Sequence, residues 1–416
     1  MMATDYFQMT HRSRHRIIAL LTLAVGGMLL SNKVLAQSGW FLSPALEAAR
    51  VYDDNIFFSP TQPLDDYIIR VSPAIATGYR SVPLTLEGAY TVDVERYREH
   101  SELDSDHVRE DTALDLIYQA NQLLTFLADA NHIETEIAGE LSPETSLELG
   151  RSRAERYTFN PAAIYQFDRV TVGTMSFNFT RDEFVGGVSS KTNALTLNRD
   201  KRINPRSIVS TGYRFERFNF DPGENVGTHT LFAGITHELT RLTSVSILAG
   251  PQFSHGSVEA EVAASLAHQF DRGDFNLMYS RDQTSIIGLA GITITENIAA
   301  IYSHALGSDG YISLRSGFSR SELGGLEADI STSAFETGYQ LTRYLRLFAV
   351  YEHSSQRGSL EPTDDFDQIN RNIMWLGFAA GAPPRTELTP RPRVGVPTTL
   401  FEGLIPGTES NSMEAR

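Results

Sequence analysis

Apolar and polar residues alternate along most of the chain between Trp40 and Ala380. Leu84, Leu86, Gly88, Tyr90, Val92 and Val94 interleave with Thr85, Glu87, Ala89, Thr91, Asp93 and Glu95. The same period of two runs through 258–269, 275–280 and 312–319. A period of two sends successive side chains to opposite faces of an extended strand, so each run predicts a strand with one apolar and one hydrophilic face. The runs last about 10–12 residues, the length a tilted strand needs to cross a bilayer. We read about 18 strands (16–18), at about 42–52, 67–79, 84–97, 108–118, 122–134, 155–167, 170–181, 189–200, 206–220, 227–238, 242–254, 257–270, 274–282, 291–304, 310–320, 327–340, 343–355 and 367–380.

The connections alternate in length. Asn55–Asp66, Arg98–Val108, Thr135–Ala154, Asp182–Ser189, Asp221–Val226 and Ser354–Phe366 read as long polar loops at odd positions in the series. Those at Arg80–Pro83, Gln119–Asn121, Asp168–Arg169, Thr240–Arg241, Asp271–Gly273 and Thr342–Arg343 read as tight turns at even positions. The eleventh, at His255–Gly256, is short and breaks the alternation. Long loops on one rim and tight turns on the other are the pattern of a membrane barrel. Four of the turns also resemble one another: Tyr165–Arg169, His237–Arg241, His268–Arg272 and Tyr339–Arg343. Each runs aromatic or His, polar, apolar, Asp or Thr, then Arg. The Asp or Thr is placed to bond its own turn backbone, and the ring to lie in an interfacial girdle.

The longest apolar run, Ile17–Leu30, is too short for a helical span. Arg12, Arg14 and Arg16 precede it and Val34-Leu35-Ala36 follow, which together predict a secretory signal peptide over 1–36. A secreted chain without apolar helices is either soluble or a closed barrel, because lipid tolerates no unpaired backbone groups.

Composition narrows the choice. The chain has 416 residues, a net charge of −16 and no Cys. The missing Cys excludes disulfides, thiol catalysis and Cys-ligated metals. The acidic balance argues against nucleic acid as a partner, since phosphates call for Lys and Arg. From residue 381 the period vanishes, and six of the 17 prolines crowd into 381–416, read as a Pro-rich periplasmic tail.

Alternation directs Glu87, Asp93, Glu95, Asp115, Glu216, Glu259 and Glu261 inward, with Arg214 and Arg315 as counter-charges. Rings of charged side chains set ion selectivity in pores, so this acidic set predicts cation preference. The alternative is that the charges pair and fill a solvated lumen without selecting. Asp53, Asp54, Asp65 and Asp66 at the ends of the first loop form a weak calcium candidate without EF-hand spacing, and a solvated turn-forming loop is the plainer reading. Glu361, Asp364, Asp365 and Asp367 repeat the comparison in the last loop. His107, His132, His229, His255 and His353 lie in no Ser/His/Asp setting, and no catalytic or phosphate-binding motif occurs, so neither enzyme activity nor a cofactor is expected.

The signal segment, the first strand running into Val51-Tyr52-Asp53-Asp54-Asn55-Ile56-Phe57, and the repeated turns together resemble outer-membrane proteins of the β-barrel porin 2 type. These include barrels that accompany bacterial exopolysaccharide gene clusters. The resemblance covers residues 40–380. It implies an outer-membrane location in a Gram-negative bacterium, a role in polysaccharide export, and a polysaccharide chain and periplasmic export components as partners besides lipid and lipopolysaccharide. It supplies no catalytic residues. The expectation is an all-β, antiparallel up-and-down transmembrane barrel serving as a channel for a hydrophilic solute or polymer. General diffusion, and a plugged barrel acting as adhesin or assembly scaffold, stand as alternatives. Thr135–Ala154 and Ser354–Phe366 are the loops expected to fold in and constrict the lumen.

Overall fold

A computed structural model describes residues 39–141, 147, 150–254, 256–360 and 368–381. The signal segment, the tail beyond Gly381, His255 and the acidic run 361–367 lie outside the described residues.

The strands are β1 Gly39–Asp53, β2 Asp66–Arg80, β3 Leu84–Tyr97, β4 Ser105–Gln119, β5 Leu124–Ile137, β6 Arg151–Gln166, β7 Thr171–Phe184, β8 Ser189–Asn204 and β9 Ser207–Asp221. They continue as β10 Asn225–Thr240, β11 Thr243–Ser254, β12 Ser257–Phe270, β13 Gly273–Thr284, β14 Thr293–Leu306, β15 Gly310–Leu323, β16 Leu326–Thr342, β17 Leu345–Arg357 and β18 Ile369–Gly381. Each pairs antiparallel with the next, and β1 pairs with β18 from Ala45↔Gly381 to Asp53↔Ile373. The sheet is therefore a closed 18-stranded barrel. Closure leaves no edge, which is the condition for a sheet to stand in lipid.

Contacts that skip strands identify the inner face, because only the concave side brings such residues together. Arg214 on β9 pairs with Glu261 on β12, and Arg151 on β6 donates to the Tyr97 hydroxyl on β3 at 2.8 Å. The opposite parity carries Leu114, Met175, Leu197, Leu231, Ile247, Leu277, Ile298, Leu314, Met374 and Leu376, all exposed. This apolar band is bordered by rings. Near the turns lie Trp40–Tyr79, Tyr165–Phe167 and Phe270–Tyr302, at 5.5, 5.0 and 6.0 Å between centroids. Near the loops lie Tyr52–Tyr67 and His132–Tyr157, at 5.1 and 4.3 Å. An apolar belt between two aromatic girdles matches a hydrocarbon layer between two interfaces.

The turn chemistry follows the sequence. Asp168 accepts from the Val170 amide at 2.8 Å, Thr240 from Leu242 at 3.1 Å and Thr342 from Tyr344 at 3.2 Å. Two loops expected to be long are not. The ladder runs on through Asp182↔Ser190 and Ser189↔Asp221, leaving only 185–188 and 222–224 as connections. Beyond the bilayer both faces of a strand meet water, so hydropathy stops marking it although the backbone ladder continues. Three prolines interrupt the ladder from inside strands. Pairing lapses beside Pro73 between β2 and β3, beside Pro161 between β6 and β7, and beside Pro251 between β10 and β11, and resumes each time in the same register. Proline has no amide hydrogen to give the neighbouring strand.

Candidate functional site

Polar groups from many strands converge on the inner wall. Register puts Glu87, Asp93 and Glu95 of β3 there, with Asp115 of β4 directly opposite Glu87. Arg214 and Glu216 of β9, Glu259 and Glu261 of β12, and Arg315 of β15 share the same face. Most of these carboxylates have an arginine partner. Glu87 meets Arg80 at 2.6 Å, Glu216 meets Arg214 at 3.1 Å and Glu259 meets Arg281 at 3.4 Å. Glu261 pairs with Arg214, and Arg315 lies 3.8 Å from Glu336 and 3.9 Å from Glu352. Arg70, Arg80, Arg109, Arg156, Arg281 and Arg371 were not picked out from the sequence, although the parity of their strands was readable for those at inner positions. Asp115 stands opposite Asp129 of β5, and among the described residues neither has a basic partner within ion-pair distance. Asp129 instead accepts from Asn160 at 2.6 Å, and Asn160 accepts from Asn178.

Arg70 is the hub of the wall near the loops. Its Nε donates to Glu95 at 2.6 Å, its guanidinium lies 4.5 Å from the Trp375 ring, and Asp93 is 3.9 Å away. Tyr97 donates to the other oxygen of Glu95 at 2.7 Å. The Glu95 side chain is 1% exposed, so its charge depends on these partners rather than on water.

Inward-folded connections meet across the mouth. The segment 285–292 between β13 and β14 holds Ile286 and Ile287, both 0% exposed. Ile286 packs with Leu147, Leu289, Ala328, Ile330 and Leu360. Ile287 packs with Ala138, Leu141 and Ala154. Gly288 accepts at 3.1 Å from the amide of Val188, which lies in the β7–β8 connection. Gly288 and Gly291 have φ of +82° and +112°, which side chains adopt only with strain. The β1–β2 connection also turns in: Ile56 joins Val51, Ile68, Tyr97 and Phe348, while Phe58 meets Ile137 and Ile369. The two loops singled out from sequence thus contribute Ala138, Leu141, Leu147 and Leu360, but the centre is 285–292, which was not singled out. Its signal was present: Ile286-Ile287-Gly288-Leu289 is an apolar run in a place where loops are polar.

The short helix Ala138–Leu141 is fastened by Glu140. Glu140 accepts from Arg109 at 2.9 Å and from the Thr135 hydroxyl at 3.0 Å. Burial opposes its charge, but the Arg109 and Arg70 guanidinia and these hydrogen bonds outweigh it and hold the carboxyl below its ordinary 4.5. A depressed carboxyl stabilises the fastened state above its unfolded value and stops doing so as pH falls through the depressed one. Conductance across a planar bilayer is therefore expected to rise on acidification below the ordinary carboxyl range. Glu140→Gln should show the raised level already at neutral pH, with a flatter profile. A wild-type profile flat over that range would remove Glu140 as the fastening.

The first-loop aspartates do not form one ligand set. Arg371 holds Asp53 with contacts of 3.1, 3.1 and 2.6 Å. Asp54 accepts from the amide and side chain of Asn372 at 2.7 and 2.6 Å. Asp66 accepts from the amides of Tyr67, Arg98, Glu99 and His100. With their lone pairs already engaged by protein donors, these three do not converge with Asp65 on a cation, and among the described residues no group of metal-ligating side chains assembles. The four are thus not brought together as one set, and Asp53, Asp54 and Asp66 brace β1 against β18 and the start of β2 against the β3–β4 connection.

Fold and wall together define a transmembrane antiparallel barrel with a charged, hydroxyl- and amide-rich interior. Among solved structures the chain resembles Pseudomonas aeruginosa OpdO at 12% identity and TM-score 0.44, covering 82% of this chain and 97% of that one. It resembles Pseudomonas aeruginosa OpdK with vanillate at 12% and 0.44, covering 82% and 98%. It also resembles the siderophore receptor PirA of Pseudomonas aeruginosa at 7% and 0.40, covering 82% and 80%. No protein-family model matches the sequence, and no curated protein matches it.

Proposed function

We propose that this protein is a channel in the outer membrane of a Gram-negative bacterium, delivered by its 1–36 segment, and that it passes small hydrophilic solutes. The observation that carries the reading is the opposition of the two faces. An apolar, aromatic-bordered exterior matches lipid, and the same strands turn ionised and hydroxyl groups inward, where only water or a hydrophilic solute repays their exposure. The loop side faces outward and the turn side faces the periplasm. We assign the chain no catalysis.

Polysaccharide export, which the resemblance implies, needs a mouth clear along the whole polymer. The apolar meeting of connections around Ile286 and Ile287 favours small solutes over a chain. General diffusion is the second reading, supported by the mutual neutralisation of most wall charges. Asp115 and Asp129 give the turn-side half a net negative field, which favours cations.

Planar-bilayer recording tests this. Discrete conductance steps are expected, with a reversal potential of cation-selective sign in a KCl gradient, moved toward zero by Asp115→Asn with Asp129→Asn. Absence of current at any voltage would sink the channel reading in favour of a plugged scaffold. An anion-selective potential would sink the role of the two aspartates.

A further inference from the structure

Cations gather on the lipid-facing side of β7, β8 and β9, where these strands leave the apolar band. Lys191 of β8 stands directly opposite Arg181 of β7 on one side and Asn219 of β9 on the other. The same outward row contains His132 and Tyr157 of the loop-side girdle, which puts it at the level of the lipid headgroups. It continues to Asn225 of β10. The next outward row toward the turns runs Phe179, Asn193, Arg217, Gly227. From β7 to β10 these two rows hold three cations, three asparagine amides and no carboxylate. Arg181 holds Glu183. Lys191 and Arg217 are exposed, and among the described residues neither has a carboxylate within ion-pair distance. Glu183 and Asp221 stand one row further out, so the cations meet the bilayer before those acids do.

Like charges directly opposite each other on neighbouring strands destabilise the pair. A wall that only had to be stable would place an acid or a neutral residue at 191. An anion lying between Arg181, Lys191 and Arg217 repays the arrangement instead. Toward the turns the outward face becomes apolar at once. Phe177, Leu195 and Phe215 form one row, and Met175 and Leu197 open the next. The neighbouring sector is different. Glu110, Glu134, Glu155 and Glu183 face one another in a single outward row from β4 to β7. That acidic ridge repels an anion, which leaves β7–β9 as the place for one.

We propose that the outward face of β7–β9 docks a phosphorylated glycolipid, the lipopolysaccharide of the outer leaflet, a reading that rests on the loop side facing outward as assigned above. A phosphate of the lipid accepts from Arg181, Lys191 and Arg217. The Asn193 and Asn225 amides bond its sugar hydroxyls. Its acyl chains lie along Phe177, Leu195 and Phe215. Cations, amides and rings thus follow one another in the order in which phosphate, sugar and hydrocarbon occur in such a lipid.

The test counts bound lipid by native mass spectrometry of the full mature chain in detergent, with bisphosphorylated lipid A as probe. Wild type should retain it, and retention should fall about tenfold in Lys191→Gln with Arg217→Gln. Arg199→Gln with Lys201→Gln removes the same charge from the turn end of the same outward face of β8 and should leave retention unchanged. Phosphate-free lipid A and phosphatidylglycerol should bind weakly throughout. Folding is read from faster migration of unboiled protein on a detergent gel, and the outward side chains lie outside the backbone ladder. No retention by wild type, retention unchanged in the folded loop-end variant, an equal loss in the turn-end variant, or equal binding of either control lipid overturns the docking site. Orientation is scored separately. Glu224→Cys places the sole thiol of a chain without cysteine in the exposed β9–β10 connection, for labelling on whole cells by a membrane-impermeant maleimide. Labelling without lipid A retention removes the docking site alone, and retention without labelling removes the orientation on which it rests.

Discussion

Replacing Ile286 and Ile287 together by serine should raise single-channel conductance several-fold and widen the size range of solutes that pass. The two side chains are fully buried and belong to two different clusters, so each holds 285–292 against a different neighbour. Burial of an aliphatic side chain is worth about 1.5–3 kcal/mol, and losing two such anchors exceeds what the Val188–Gly288 hydrogen bond retains, at about 1 kcal/mol net. The barrel ladder contains neither residue, so migration of unboiled protein on a detergent gel should stay as in wild type. An unchanged conductance in the folded variant would mean that the connection does not obstruct the path.

Arg70→Leu should lower stability by about 3–5 kcal/mol, the usual consequence of stranding one partner of a buried ion pair. The stranded partner is Glu95, which Arg70 and Tyr97 together satisfy. The double change Arg70→Leu with Glu95→Leu should recover most of the loss, because the carboxylate stranded at 1% exposure is then gone. Urea unfolding in detergent micelles reads both. A single variant as stable as wild type, or a double variant no better than the single, would show that the pair does not carry this part of the wall. Glu140 feels the Arg70 charge as well, so the single variant should also loosen the Ala138–Leu141 helix and raise conductance at neutral pH.

The strand order and inner-face parity were legible because lipid on one side and water on the other impose a period of two that nothing else produces at this length. Glu87, Asp93, Glu95 and Asp115 could be assigned to one face from spacing alone. Their partners could not. Arg214 meets Glu261 47 positions away, across two intervening strands, and curvature of the closed sheet is what brings them together. The same limit explains the first-loop aspartates. As a string they look like a cation site, but their partners Arg371 and Asn372 arrive only when β18 closes on β1.

The mouth divides in the same way. The apolar tetrapeptide at 286–289 is visible in the sequence, but what it touches comes from β5–β6, β16 and the last connection. Pro251 is visible as a proline inside a strand, while the lapse of pairing beside it, between Thr230↔Gln252 and Ala233↔Ala249, shows only once β10 and β11 are aligned.

By itself, then, the sequence determined the barrel, its strand number to within two, its turn chemistry and which side chains face inward, since each follows from local alternation and from residues within one turn. Only the tertiary structure decided which charges neutralise each other and which connection closes the mouth. Those are contacts between residues far apart in the chain, and their distances are set by the closure and curvature of the whole barrel.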